Sequence, residues 1–332
     1  MFKIIHTADI HLGRRAFNYT YNGLNAREFE IYLGWWFFLQ RVREINPALL
    51  IIAGDLYDGK FPPVAAILAS LWLGDLDIPV LIVEGNHDQT NATSPSPLNI
   101  LRIFPNVHVF SDPGYYIMPN GGLKIFLAPP DTEEYKPADI LVAHDKFIGP
   151  KEYHYAHPRT LQPENYKYVA LGDLHRYCEI AYNAIYPGPL DTFAHASEKE
   201  TYSEARGFME VDVDTHPKPI VKKFHEMYPR AYRTFEITKL EDIEAILPLA
   251  LHAVCRIFVE GDLDVSKYFK DIAWHVQTFR RRSPGSTVKP SEAPQSKTLQ
   301  DSLVEYCHKM GTSEDIMKEA VKTLKEINDK RS

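Results

Sequence analysis

Short β-rich runs alternate with helical stretches through the first half of the chain. Phe2–Thr7 reads as a strand. Ala48–Ala53 (ALLIIA) and Pro79–Val83 (PVLIV) are unbroken apolar runs, the pattern of strands buried on both faces. Ala26–Ile45 has helical spacing, with Phe29, Leu33, Trp36, Phe37, Leu39 and Val42 assigned to its apolar side. Phe61–Gly74, with Pro62-Pro63 near its start, predicts a second helix. Further strands are expected at Val107–Phe110, Lys124–Ala128, Ile140–Ala143, Tyr168–Leu171 and Phe208–Val213. Such alternation predicts an α/β fold, a sandwich of β-sheets flanked by helices, over residues 1–229.

The register changes after Pro229. Arg233–Ile237, Ala253–Glu260 and His275–Arg281 read as strands, with helices at Leu240–Leu249 and Val265–Ile272 between them. This small α+β unit, residues 230–282, is marginal alone and needs a larger neighbour. Ser283–Lys297 (SPGSTVKPSEAPQSK) has the proline, serine and glycine content of a flexible linker. Two short helices follow within 298–332, separated by Gly311-Thr312-Ser313. Leu299, Leu303, Tyr306, Cys307 and Met310 form one stripe; Ile316, Ala320, Leu324 and Ile327 form the other. A tethered two-helix hairpin cannot bury both stripes on itself, so it calls for a partner surface.

Composition narrows the class. Of 332 residues, 45% are hydrophobic and 24% charged, which excludes a mainly disordered or fibrous chain. No apolar run approaches the roughly 20 residues that span a bilayer, and the N-terminal strand turns polar too early for a signal-peptide core. Cys178, Cys255 and Cys307 are scattered, without a CxxC, which argues against a disulfide framework and a Cys-rich zinc site. A cytoplasmic protein is expected, or one of the host cytoplasm if the source is viral. The net charge of −7 argues against a passive nucleic-acid coat. The imbalance is uneven: residues 230–332 carry 17 Lys and Arg against 16 Asp and Glu, leaving −8 for residues 1–229. Acids that hold metal ions would account for that.

The chemistry-bearing residues sit just after predicted strands. The first strand ends in Asp9-Ile10-His11, the second run in Gly54-Asp55, and the third in Gly85-Asn86-His87-Asp88. Later strands end in His144-Asp145 and in Gly172-Asp173-Leu174-His175. Open α/β sheets bind ligands at the carboxyl ends of their strands, so these endings can converge on one crevice. Carboxylates, imidazoles and an Asn oxygen suit a hard-to-borderline divalent ion such as Mn²⁺, with Mg²⁺ the alternative. Seven such groups exceed one octahedral ion and suit two ions sharing a carboxylate.

In these segments the chain resembles the calcineurin-like metallophosphoesterases, and within them the SbcD-type DNA repair nucleases, the nuclease half of the SbcC–SbcD complex. HTADIHLG at His6–Gly13, YVALGDLHR at Tyr168–Arg176 and YPGP at Tyr186–Pro189, followed by RGF at Arg206–Phe208, carry the resemblance. So does the order of parts: phosphoesterase domain, capping domain, linker, helical tail. The resemblance implies one metal held by Asp9, His11 and His175 and a second by Asn86, His144 and Asp173, with Asp55 bridging. It implies that His87 is the catalytic histidine at the scissile phosphate. Asp88 is expected to orient the ring of His87. Many relatives carry GHxH where this chain has Gly172-Asp173-Leu174-His175, so Asp173 stands in place of a histidine.

The implied reaction is two-metal phosphodiester hydrolysis of DNA: 3′→5′ exonuclease action on duplex ends and endonuclease cutting of single strands and hairpins. The implied partners are DNA, an SbcC-like SMC-type ATPase docked by the C-terminal helices, and a second copy of the chain. Arg14, Arg15, Lys146 and Arg176 are candidate DNA-backbone contacts, and Arg280-Arg281-Arg282 is a further basic run. The alternatives are a nucleotide or phosphoprotein phosphatase with the same ligands, and a non-catalytic scaffold on the same fold.

Overall fold

The computed structural model describes residues 2–21, 23–89, 95–119, 122–147, 161–193, 205–213, 221–260 and 263–281. The predicted linker and helical hairpin lie outside the described residues. Among the described residues, seventeen strands occur in chain order. The first six are β1 (Phe2–Thr7), β2 (Thr20–Tyr21), β3 (Leu24–Asn25), β4 (Leu49–Ala53), β5 (Val80–Val83) and β6 (Val107–Phe110). Then come β7 (Gly114–Ile117), β8 (Lys124–Ala128), β9 (Ile140–His144), β10 (Tyr168–Gly172), β11 (Cys178–Ala181) and β12 (Ala184–Tyr186). The last five are β13 (Arg206–Val213), β14 (Val221–Met227), β15 (Tyr232–Ile237), β16 (Val254–Glu260) and β17 (His275–Arg281).

Two six-stranded sheets form the sandwich, in the orders β14-β13-β1-β4-β5-β6 and β11-β12-β10-β9-β8-β7. In the first, β1, β4, β5 and β6 run parallel, with Ile4 opposite Leu49 and Ile51 opposite Leu81. In the second, β8, β9 and β10 run parallel, with Val169 opposite Leu141. The core between the sheets joins Ile4, Leu49, Ile51, Leu81 and Val83 to Ile125, Val142, Tyr168 and Ala170. Leu50 and Ile52 point the other way, into a second core under the helices. Strand β4 is therefore buried on both faces, which is why its sequence shows no alternation.

Helix α1 (Ala26–Ile45) starts where the Asn25 side chain accepts from the backbone N–H of Arg27 and Glu28. Its buried stripe differs from the expected one. Ile31, Tyr32, Trp35, Phe38, Leu39 and Val42 are covered, whereas Leu33, Trp36 and Phe37 are exposed and Phe29 is half-buried. Apolar residues surround this helix on most sides, so two helical stripes fit its sequence equally well, and packing on the sheet selects one. Helix α2 (Val64–Ser70) begins after Pro63, leaving Phe61 exposed outside it, and tightens into a 3-10 turn at Leu71–Asp75.

Strands β15, β16 and β17 make a separate three-stranded sheet, with α3 (Asp242–Ala250) and α4 (Ser266–Phe269) beside it. Their core holds Ile237, Ile257, Val259 and Phe269. The expected helix over Val265–Ile272 shortens to four residues. This sheet is tied to the body of the fold by polar and aromatic contacts. Arg230 Nε donates to Glu30 Oε1 of α1 at 2.8 Å, and its guanidinium lies 4.5 Å from the Trp274 ring centroid. Tyr19 Oη and His275 Nδ1 are 3.0 Å apart. Among the described residues, no helix is long and apolar enough to cross a membrane.

Candidate metal centre

The pocket forms where β1, β4, β5, β9 and β10 end. Beyond their last pairs, the chain after β1 continues alongside the chain after β4: Asp9 N–H donates to Gly54 O at 3.1 Å and His11 N–H to Asp55 O at 3.0 Å. These two ends are held in a backbone conformation that side-chain-bearing residues rarely adopt. Asp9, His11, Asp55 and Asp173 have φ values of 55°, 52°, 53° and 87°. Each such residue costs about 1–3 kcal/mol, which the surrounding ladder must offset, and such strain clusters at functional sites. Two glycines permit the close approach. A Cβ on Gly54 would lie 2.0 Å from His144 Nδ1, and one on Gly85 would lie 2.1 Å from Asp55 Oδ1.

Asp55 occupies the middle. Its Oδ1 accepts the His87 backbone N–H at 2.9 Å and lies 3.5 Å from His144 Nε2. Its Oδ2 has no hydrogen-bond partner and lies 3.6 Å from His11 Nε2. One carboxylate thus presents one oxygen to each side of the pocket.

On one side, His11 Nε2 and His175 Nε2 face each other at 3.0 Å. Asp9 Oδ1 accepts the Asp173 backbone N–H at 3.0 Å, leaving Oδ2 buried without a hydrogen-bond partner. Asp9, His11, Asp55 and His175 bring one ligand atom each within 4.8 Å of one another, as a metal ion requires. On the other side, His144 Nδ1 donates to Ala53 O at 2.8 Å, which fixes the tautomer and turns Nε2 inward. That Nε2 lies 2.9 Å from Asn86 Oδ1 and 4.0 Å from Asp173 Oδ1.

The electrostatics express the same demand for a cation. Burial, with Asp55 and Asp173 close by, pushes the Asp9 carboxyl up to about 7. Burial also opposes charge on His144, yet the Asp55 hydrogen bond and the surrounding carboxylates raise it well above its ordinary range. Burial and the neighbouring His11 push His175 down to about 3. Orphaned carboxylate oxygens facing imidazole nitrogens fit divalent metals: the pocket needs positive charge, and a proton on His144 supplies only part of it. Asp9, His11, His175, Asp55, Asn86, His144 and Asp173 have the donor chemistry for it.

The structure adds one residue that strand endings do not reveal. Asp58 Oδ1 lies 3.2 Å from His11 Nδ1 and accepts from Arg14 Nη1 at 3.0 Å. A carboxylate behind an imidazole orients the ring and raises its basicity as a ligand. Its only sequence signal is an acid three residues past Asp55, in a turn and not at a strand end.

Asp88 plays a different part from the expected one. Its oxygens accept the backbone N–H groups of Leu56, Tyr57 and Gly85 at 3.2, 2.9 and 3.0 Å, so it staples two loops instead of orienting His87. The His87 ring stands edge-on to His11, its Nδ1 3.5 Å from the Asp58 carbonyl oxygen.

The four basic candidates are engaged. Arg15 Nε donates to buried Glu28 at 2.6 Å, Arg14 to Asp58, and Lys146 Nζ lies 3.3 Å from Asp173 Oδ1. Arg176 lies beside Cys178.

A sandwich with a histidine- and carboxylate-lined pocket at its strand ends defines a metal-dependent phosphoesterase. The family model of the calcineurin-like phosphoesterases matches residues 2–177, and the chain belongs to that family. It is also similar to proteins named DNA double-strand break repair protein Mre11. The one from Methanococcus maripaludis is 26% identical over 235 residues, 62% of this chain and 62% of the relative. The one from Aeropyrum pernix is 26% identical over 226 residues, 58% of this chain and 54% of the relative. The chain spans less than two thirds of the length of these curated relatives.

Proposed function

We propose that the chain is a two-metal DNA nuclease of the SbcD type, acting in double-strand-break repair or recombination. The observation that carries the reading is Asp55, whose two oxygens face opposite sides of one pocket. Asp9, His11 and His175 would hold one ion, and Asn86, His144 and Asp173 the other. Mn²⁺ suits this mixed nitrogen and oxygen donor set, with Mg²⁺ second. Two divalent ions, when bound, acidify water and clamp the attacking and leaving oxygens of a phosphodiester.

The chain's own residues supply the rest. His87, held by its backbone N–H on Asp55 and with Nδ1 turned to the Asp58 carbonyl, has Nε2 for the scissile phosphate or the leaving oxygen. Asp58 places a carboxylate oxygen 3.2 Å behind the His11 ring. The similarity to double-strand-break repair proteins supports DNA as the substrate. The proposed activities are 3′→5′ trimming of duplex ends and cutting of single strands and hairpins. Arg14, Arg15, Lys146 and Arg176 are the proposed backbone contacts for DNA.

Residues 1–229 form the proposed nuclease domain and 230–282 a cap that meets DNA. The segment 283–297 is read as a linker, and the helical stripes of 298–332 as the dock for an SbcC-like SMC-type ATPase. A homodimer completes the assembly.

The test is cleavage of end-labelled linear duplex DNA by the full chain with Mn²⁺, Mg²⁺ or chelator, beside His87→Ala. The expected result is Mn²⁺-dependent trimming that falls by about a hundredfold or more in the variant. Turnover of mononucleotides or phosphopeptides with DNA left intact overturns the nuclease reading.

A further inference from the structure

Each side of the pocket brings one carboxylate of its own, Asp9 or Asp173, and Asp55 is shared. If the two-metal reading holds, on which this inference rests, Asp9, Asp55 and Asp173 place three negative charges against four positive ones. The net +1 is a weak attraction for a phosphodiester. A further cation stands at the rim. Lys146 Nζ lies 3.3 Å from Asp173 Oδ1, the same oxygen that faces His144 Nε2 at 4.0 Å.

The backbone carrying Lys146 is fastened on both sides. The hydroxyl of buried Tyr186 donates to Asp145 O at 2.7 Å and accepts the Phe147 N–H at 3.0 Å. The Asp145 carboxylate accepts the Lys146 N–H at 2.8 Å through Oδ1, while its Oδ2 accepts the Tyr135 hydroxyl at 3.0 Å. These hydrogen bonds hold the main chain at Lys146, and the lysine reaches Asp173 through its side chain. That stem is half-exposed and ends on a carboxylate that is largely buried, at 49% and 20% exposure.

We infer that Lys146 and Asp173 act as one unit, in which the ammonium is a built-in cation of the pocket, set against the metal beside Asp173 and in favour of the phosphate. Like charges repel, so Lys146 weakens the hold on the ion at Asp173. It brings the charge facing a phosphate from +1 to +2 and strengthens the hold on that anion. Asp173 anchors the ammonium at the rim while also serving the metal. The pair thereby sets both the affinity of the second ion and that of the substrate anion.

The experiment is calorimetric titration of the full-length protein with Mn²⁺, then of the Mn²⁺-loaded protein with inorganic phosphate, for wild type, Lys146→Met, Asp173→Asn and the double variant. Expected in Lys146→Met are two ions bound, the weaker one about fivefold tighter, and phosphate about fivefold weaker. In the Asp173→Asn background the lysine has lost its anchor, and its removal changes both constants by less than about twofold. Lys146→Met shifts of the same size in both backgrounds, or a loosened second ion in Lys146→Met, overturn the inference while leaving the two-metal reading intact. Absence of Mn²⁺ uptake by every variant, with the chelated proteins melting alike, overturns both.

Discussion

Asp9, His11 and His175 on one side of the pocket and Asn86, His144 and Asp173 on the other are built by different means. The first side is crowded: two imidazole nitrogens are held 3.0 Å apart, whereas positive φ is common to both sides, at Asp9 and His11 on this one and at Asp173 on the other. The second is assembled by hydrogen bonds and charge, with His144 anchored on Ala53 and Asp173 shared with Lys146. The first side would hold a metal with little freedom to adapt. The second has an ammonium beside its own carboxylate, so its affinity depends on the balance of the two.

The strongest way to break this contrast is to remove what the two sides share. Asp55→Asn is expected to abolish uptake of both ions and to lower Mn²⁺-dependent DNA cleavage by at least about a thousandfold, since several kcal/mol of charge stabilisation go with them. Calorimetry reads the stoichiometry directly. Loss of one ion with the other retained would show that the sides are independent.

Asp58→Asn addresses the first side alone. It leaves the strand ends in place but removes the carboxylate behind His11. Mn²⁺ affinity should fall about 10- to 100-fold at one site and stay unchanged at the other. Asp173→His addresses the second side. Exchanging the carboxylate for an imidazole should weaken Mg²⁺ more than Mn²⁺, by about tenfold in the ratio of their affinities, because nitrogen favours the softer ion. Competition of the two metals in a cleavage assay gives that ratio, and an unchanged ratio refutes the charge argument.

The smallest effect separates the pocket from the fold that carries it. His6 in β1 is fully buried, hydrogen-bonded to Tyr168 at 2.8 Å, and pushed down by burial to about 3. Its folded value lies below the ordinary histidine value near 6.5, so between the two the unfolded chain binds the extra proton. Stability is therefore complete above pH 6.5 and is lost as pH falls from there towards 3, by up to about 1.4 kcal/mol per unit. Denaturant unfolding of the chelated protein at pH 7 and pH 5 should show this contribution as the difference in slope between wild type and His6→Gln, since the pocket groups titrate alike in both. Acid loss of metal binding beyond that slope then belongs to the pocket.

The strands and the pocket were legible in the sequence because both rest on local rules. A strand buried on both faces leaves an unbroken apolar run, as in Leu49–Ala53, and a glycine before an acid marks the turn that aims it. The buried face of α1 was not legible, because Ile31, Trp35 and Phe38 compete on equal terms with Leu33, Trp36 and Phe37 until the sheet is present. Edge strands were missed for a related reason. In β14 (VKKFHEM), two lysines and a glutamate interrupt the apolar positions along an edge. Asp58 and Asp88 lie in turns, where only the three-dimensional path shows that one meets His11 and the other three backbone amides.

Strand β1 lies at the centre of its sheet, with β4 on one side and β13 on the other, so that Phe2 pairs with Val213. During synthesis β1 therefore waits for a neighbour that lies about 200 residues later in the chain. Asp9 and His11 leave the ribosome about 160 residues before His175, and the neighbour that encloses β1 follows only at Arg206–Val213. At roughly 5–20 residues per second this delay is on the order of ten seconds. Throughout it the nascent chain carries β1 with one edge open, and Asp9 and His11 stand without the histidine they face in the finished pocket.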